Sequence, residues 1–281
     1  MKERLLLGNN AQFIRQPFSE FVQAAAESGL NAVELTLQTP HFYADSDTFH
    51  DLSSVKGNLH QAGLEVCSTV PLPYRYSICA DEGTIQREKT REYYKQCILL
   101  TEELGASYLS ITGSGANYDY DSKRLMKNGA KTLEELADFA GKHSVTLLLG
   151  SVLGQECIVN ASTPVLVSLE EIREMIEAVS SDFLKVYLDT EVISLRGETI
   201  SGWFDTLGED IRLVRFTDGN YNGYRIWGRG CLPCRKYLNQ LDESGYAGPL
   251  ALTVPGERYI DDPVSAMKEN IQVLRQNMGQ V

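Results

Sequence analysis

Eight short apolar runs, each followed by a stretch of helical periodicity, constrain this chain more than any other feature of it. The runs are RLLLGN around Leu5, NAVELTL around Val33, LEVCSTV around Val66, SYLSITG around Leu109, TLLLGSV around Leu148, LKVYLD around Val186, IRLVRFTD around Val214 and PLALTV around Leu252. They are rich in Val, Ile and Leu without strict alternation, as strands buried on both faces of a parallel sheet must be. Between them lie SEFVQAAAESG, LSSVKGNLHQAG, REYYKQCILLTEELG, TLEELADFAGKH, SLEEIREMIEAV, WFDTLGED, CRKYLNQLDESG and PVSAMKENIQVLRQ. Several of these end in Gly, and SLEEI opens with a capping serine followed by acids that suit a helix N-terminus. Eight β–α units in 281 residues with no linker composition predict an α/β fold, a single-domain (β/α)8 barrel spanning 1–281. A doubly wound open sheet is the alternative.

Composition narrows the class. Apolar residues make up 43% of the chain, enough for a large core, and the formal net charge of −12 opposes a phosphate backbone, so no nucleic-acid partner is expected. The start MKERLLLGNN has only three leucines before Gly8, and nowhere do about 18 apolar residues run together, so a cytoplasmic protein with no membrane span is expected. Six cysteines (Cys67, Cys79, Cys97, Cys157, Cys231 and Cys234) are scattered as reduced thiols would be. Only CLPC at 231–234 forms a close pair, and a zinc ribbon would need a second one.

In such a barrel, chemistry sits at the C-terminal ends of the strands. That rule selects Glu34 and His41 after the second strand, Gly150 and Glu156 after the fifth, Asp189 after the sixth, Arg215 and Asp218 after the seventh, and Thr253 after the eighth. Each has a plainer reading: a carboxylate there can be a helix cap or an arginine's partner, and His41 can be packing in an aromatic loop. Tyr74, Tyr76, Tyr118, Tyr120, Tyr221, Tyr224 and Trp227 fall on the same loops and would supply stacking surface.

The segments FVQAAAESGLNAVEL, LHQAGLEVCSTV, LLTEELGASYLSITG, VYLDT, VRFTD followed by GRGCLP, and LNQLDESGYAGPLALTV resemble the xylose isomerase-like TIM barrels. That family is also called AP endonuclease family 2 and includes sugar isomerases and ketose 3-epimerases. The resemblance covers nearly the whole chain, and TPHFYAD with PYRYSICADEGTIQREKTREYY looks nearest to fructoselysine 3-epimerase-like members. GYAGPLALTV is similar to the family's GYxGxxxxE, and GRGCLP to its GEGxxP.

The resemblance implies a divalent metal (Mn, Co or Zn) held by a glutamate, an aspartate, a histidine and a glutamate at the ends of strands five to eight. Those positions are Gly150, Asp189, Arg215 and Thr253 here, and only Asp189 matches. Glycine has no donor atom, threonine is a poor ligand and arginine has no lone pair to give. No metal cofactor is therefore expected, and Arg215 is expected to replace the ion. The family's three carboxylates around a dication carry about −1; Asp189 with Arg215 alone would carry about zero.

The resemblance also puts Glu156 where some members have a substrate-contacting glutamate. Glu156 and Asp189 are thus the catalytic candidates, and Glu34, His41, Arg215, Asp218 and Arg229 the candidates for holding a carbohydrate-like ligand. Either an isomerase-class enzyme with altered acid–base chemistry or a non-catalytic carbohydrate-binding or regulatory subunit follows, and a homo-oligomer is left open. Three structural expectations result: no metal at the mouth; Glu34, His41, Glu156 and Asp218 lining one aromatic-walled cavity; and a direct or bidentate Arg215–Asp189 contact.

Overall fold

The structure, a computed structural model, describes residues 4–71, 76–113, 116–117, 121–153, 162–254 and 258–279. Eight parallel strands close into a barrel: β1 (Leu6–Asn9), β2 (Ala32–Leu37), β3 (Glu65–Pro71), β4 (Tyr108–Thr112), β5 (Thr146–Gly150), β6 (Leu184–Asp189), β7 (Ile211–Arg215) and β8 (Leu250–Ala251). Each pairs with its sequence neighbours, and β1 closes on β8, so the open-sheet alternative is excluded. β8 is two residues long and meets β1 only at Leu6↔Leu250 and Leu7↔Ala251, whereas β2 and β3 share six residue pairs.

Among the described residues the helices are α1 (Phe18–Glu27), α2 (Ser53–Ala62), α3 (Ile85–Glu103), α4 (Ser122–Lys142), α5 (Leu169–Val179), α6 (Thr190–Leu195), α7 (Ile200–Leu207), α8 (Cys234–Glu243) and α9 (Pro263–Met278). Sequence caps start several of them: Thr84, Asp121, Ser168 and Asp262 each accept a backbone N–H from the first turn. The six-residue α6 is additional to the sequence reading, and α4 begins earlier than expected, at Ser122. The main apolar core lies between the barrel wall and the helices. Among the described residues, no helix is long and apolar enough to cross a membrane.

The barrel has a second core of its own. Leu7, Ala32, Cys67, Tyr108, Leu148, Tyr187, Leu213 and Ala251, one residue from each strand, cluster inside it. Side chains on a strand alternate between faces, so the next inward position lies two residues further toward the C-terminal end. There the ring turns polar: Asn9, Glu34, Ser110, Gly150, Asp189, Arg215 and Thr253. On β3 a register shift opposite Val33 and Glu34 puts Ser68 beside Glu34, completing the ring.

Candidate functional site

Glu34 is the deepest charge of this ring, with a carboxylate wholly removed from solvent. Three hydroxyls answer it. Ser68 Oγ donates to Oε1 at 3.2 Å and Ser110 Oγ at 3.5 Å, while Thr253 Oγ1 donates to Oε2. Burying a carboxylate unpaired would cost several kcal/mol, and these donors offset part of that cost.

Asp189 ends β6 and caps α6. Its Oδ1 accepts the backbone N–H groups of Glu191 and Val192 at 3.0 and 3.3 Å, and its Oδ2 accepts the Tyr224 hydroxyl at 2.9 Å. Burial nevertheless holds the Asp189 carboxyl above its ordinary range, against the opposing pull of Arg215 and these hydrogen bonds.

Arg215 stands opposite Asp189 in the register of β6 and β7. Its Nη1 lies 3.5 Å from Asp189 Oδ2 and 3.5 Å from the Tyr187 hydroxyl, its Nη2 lies 4.0 Å from Glu34 Oε2, and its guanidinium carbon sits 4.6 Å from the centroid of the Tyr187 ring. The contact with Asp189 is therefore direct but single and long, not bidentate. Arg215 Nε and Nη2 are buried without a hydrogen-bond acceptor. Because Glu34 joins the cluster, two carboxylates face one guanidinium and the formal charge is −1, which corrects the neutral pair expected from Asp189 and Arg215 alone.

Gly150 is not an empty position. A Cβ built on it would fall inside the ring of Tyr187 from the neighbouring strand, so the tyrosine fills the space a side chain at 150 would need. Burial pushes the Tyr187 hydroxyl up to about 12, which keeps it a neutral hydrogen-bonding group. Among the described residues, no three His, Cys, Asp or Glu side chains come together as metal ligands.

The remaining expected mouth residues go elsewhere. His41 Nδ1 accepts from Asn10 Nδ2 at 3.1 Å, and its Nε2 donates to the Gln16 carbonyl at 2.8 Å, while the ring packs edge-on against Phe18. Asn10 also bonds both backbone groups of Thr36, so this cluster ties the loops after β1 and β2 together instead of facing the ring. Asp218 accepts four backbone N–H groups, from Gly219, Gly228, Gly230 and Leu232, at 2.8–3.1 Å. It organises the GRGCLP loop, with no oxygen left for a ligand.

Arg229 is exposed and paired bidentately with Glu269 on α9. Glu156 lies outside the described residues, as do Tyr74, Tyr118, Tyr120 and Cys157. The common cavity expected from Glu34, His41, Glu156 and Asp218 is thus not formed by the three that are described. Of the aromatic candidates, Tyr224 reaches the site, Trp227 is buried against Phe216, Tyr76 stacks on Tyr93, and Tyr221 projects into solvent. In CLPC, Cys231 is exposed, while burial pushes the Cys234 thiol up to about 12.

Tyr187, Ser68 and Ser110 were not singled out from sequence. Counting back two residues from Asp189 finds Tyr187, and the same alternation finds Ser110; Ser68 requires the bulge on β3.

The His41 cluster makes a pH-dependent contribution to stability. Burial holds the imidazole below its ordinary value, so the folded chain keeps it neutral where the unfolded chain protonates. Its contribution is complete above the unfolded pKa of about 6.5 and is lost as pH falls from there toward the lowered folded value. Thermal melting between pH 7.5 and 5 is expected to show this loss, and His41→Gln should flatten it; an unchanged profile in the variant would exclude His41 as its source.

The family model described as xylose isomerase-like TIM barrel matches residues 22–277. Fructoselysine 3-epimerase of Shigella flexneri is 22% identical over 238 residues, covering 83% of this chain and 84% of that protein. The apo structure of 3-keto-D-glucoside 4-epimerase from E. coli superposes with a TM-score of 0.78 at 13% identity, over 98% of this chain and all of that one. The IOLI protein, solved with a bound zinc atom, superposes with a TM-score of 0.75 at 16% identity, over 97% of this chain and 96% of that one. At these identities the structural likeness is one of fold.

Proposed function

Because the chain belongs to the xylose isomerase-like TIM barrel family, in which a divalent metal is typical, we propose that it binds a carbohydrate-like small molecule at the C-terminal mouth of its barrel without metal-dependent epimerisation. The observation that carries this reading is the guanidinium of Arg215 between Asp189 and Glu34, with Tyr187 over Gly150. A cation is already present where an ion would need ligands, and neither Gly150 nor Thr253 supplies a carboxylate. This donor set does not fit a divalent metal, which needs several convergent anionic or imidazole ligands. The comparisons support carbohydrate as the ligand class through the sugar epimerases among the relatives. The net charge of −12 argues against a nucleic-acid partner.

If the chain is an enzyme, its acid–base groups are to be sought among Asp189 and Glu156. The non-catalytic reading, a carbohydrate-binding or regulatory subunit, draws support from the complete burial of Glu34 and from the three donors that already occupy Asp189.

Thermal melting with a panel of sugars, sugar phosphates and sugar acids, each with and without Mn²⁺, Co²⁺ or Zn²⁺, tests the proposal. A sugar present at a hundredfold its Kd is expected to add about 2.7 kcal/mol of stability, with no requirement for metal. Stoichiometric metal that survives dialysis and is lost in Asp189→Ala would overturn it.

A further inference from the structure

Resting on the carbohydrate reading, we infer that Arg215 is itself the ligand-binding cation: its Nε and Nη2 edge receives the carbonyl oxygen and the adjacent hydroxyl oxygen of a ketose, with no metal between them.

A salt bridge that merely repaired a lost metal site would use its guanidinium fully. Elsewhere in this chain exposed arginines do so: Arg229 grips Glu269 at 2.7 and 3.1 Å, and Arg124 grips Asp81 at 3.1 and 2.8 Å. Arg215 is far less exposed, with only 7% of its side chain accessible, yet it has one contact at 3.5 Å and two nitrogens with no acceptor. Buried charged donors are rarely left so.

Its neighbours do not consume it, because each carboxylate has donors of its own: three hydroxyls on Glu34, and two amides with the Tyr224 hydroxyl on Asp189. The Tyr187 ring beneath the guanidinium fixes its plane. What remains is a rigid fork of N–H groups in the polar ring of the barrel.

A fork of this kind matches two adjacent oxygens, either those of a carboxylate or those of a neutral hydroxy-ketone. Charge decides between them. With Glu34 included the cluster carries −1, the same formal charge as three carboxylates around a dication, so a ligand carboxylate would bring the buried site to −2. A neutral ligand satisfies the donors without that penalty.

The test is isothermal titration of EDTA-treated protein with D-allulose, with allitol, which lacks the carbonyl, and with D-gluconate, which carries a carboxylate. D-Allulose should bind at least about tenfold more tightly than either, since a site built around a hydrogen-bonding group rejects an analogue lacking it. Arg215→Lys, which keeps the charge but not the fork, should weaken D-allulose by about tenfold or more while melting cooperatively.

D-Gluconate binding more tightly than D-allulose, allitol binding equally well, or undiminished D-allulose affinity in Arg215→Lys would each overturn the assignment and leave carbohydrate binding standing. If Arg215→Lys fails to fold, the three-ligand comparison on the unmodified protein decides the matter. Failure of every sugar in the wider melting panel would remove the carbohydrate reading itself.

Discussion

Arg215→Ala is expected to lower the unfolding free energy by about 3–5 kcal/mol, the range for removing one partner from a buried charge cluster. Glu34 and Asp189 are both buried, and the guanidinium is the positive charge between them. Without it, two carboxylates in one low-dielectric ring repel each other, and the hydroxyls around Glu34 supply dipoles but no charge. Urea denaturation measures the effect. Adding Glu34→Gln to Arg215→Ala should recover part of the loss, because it removes one of the two stranded charges. A single variant within about 1 kcal/mol of the parent would mean that the ring is solvated. Arg215→His should not create a metal site, because Gly150 and Thr253 still lack suitable ligands.

Gly150→Ala is expected to destabilise the barrel by about 3 kcal/mol, near the upper end of the usual range for overpacking. The new methyl group would occupy the place of the Tyr187 ring, which is held by the barrel's inner cluster and has no open space to swing into. In a Tyr187→Ala background the same substitution should cost much less, and that difference, read from a double-mutant cycle, isolates the steric coupling. Equal costs in the two backgrounds would refute it. Rebuilding a metal ligand at position 150 would therefore have to begin with position 187.

All eight strands were legible in the sequence because parallel strands buried on both faces leave continuous apolar runs that surface elements cannot mimic. The short α6 was not, since its existence depends on Asp189 turning its carboxylate onto the following amides, an interaction that leaves no periodic trace. Position alone suggested that Arg215 and Asp189 would meet across neighbouring strands. Position could not say how closely, because that depends on Tyr187 and on register shifts after Val33 and Val186. His41 and Asp218 illustrate the opposite error. Both sit on loops at the mouth, but a polar residue near a site is a ligand contact only if the local backbone has not already claimed it. Asn10 and Gln16 claim one, and four amides of the GRGCLP loop claim the other.

The brevity of β8 bears on how the barrel comes apart. Two residue pairs on each side hold it, to β1 and to β7, so the closure of the sheet is weakest where the two ends of the chain meet. The last helix bridges that place from outside. Arg275 on α9 donates to the carbonyls of Ser28 and Gly29 at 2.9 Å each, and Lys268 pairs with Glu27 at the end of α1. Opening the closure needs only these few contacts and the packing of α9 to be released, far less than opening β2 from β3. The amides of Leu250 and Leu252, which donate to the carbonyls of Leu5 and Leu7, should therefore exchange with deuterium through a partial opening that leaves the rest of the sheet protected. The final helix then acts as a clasp, and a chain that lost it would expose two strand edges ready to pair with another molecule.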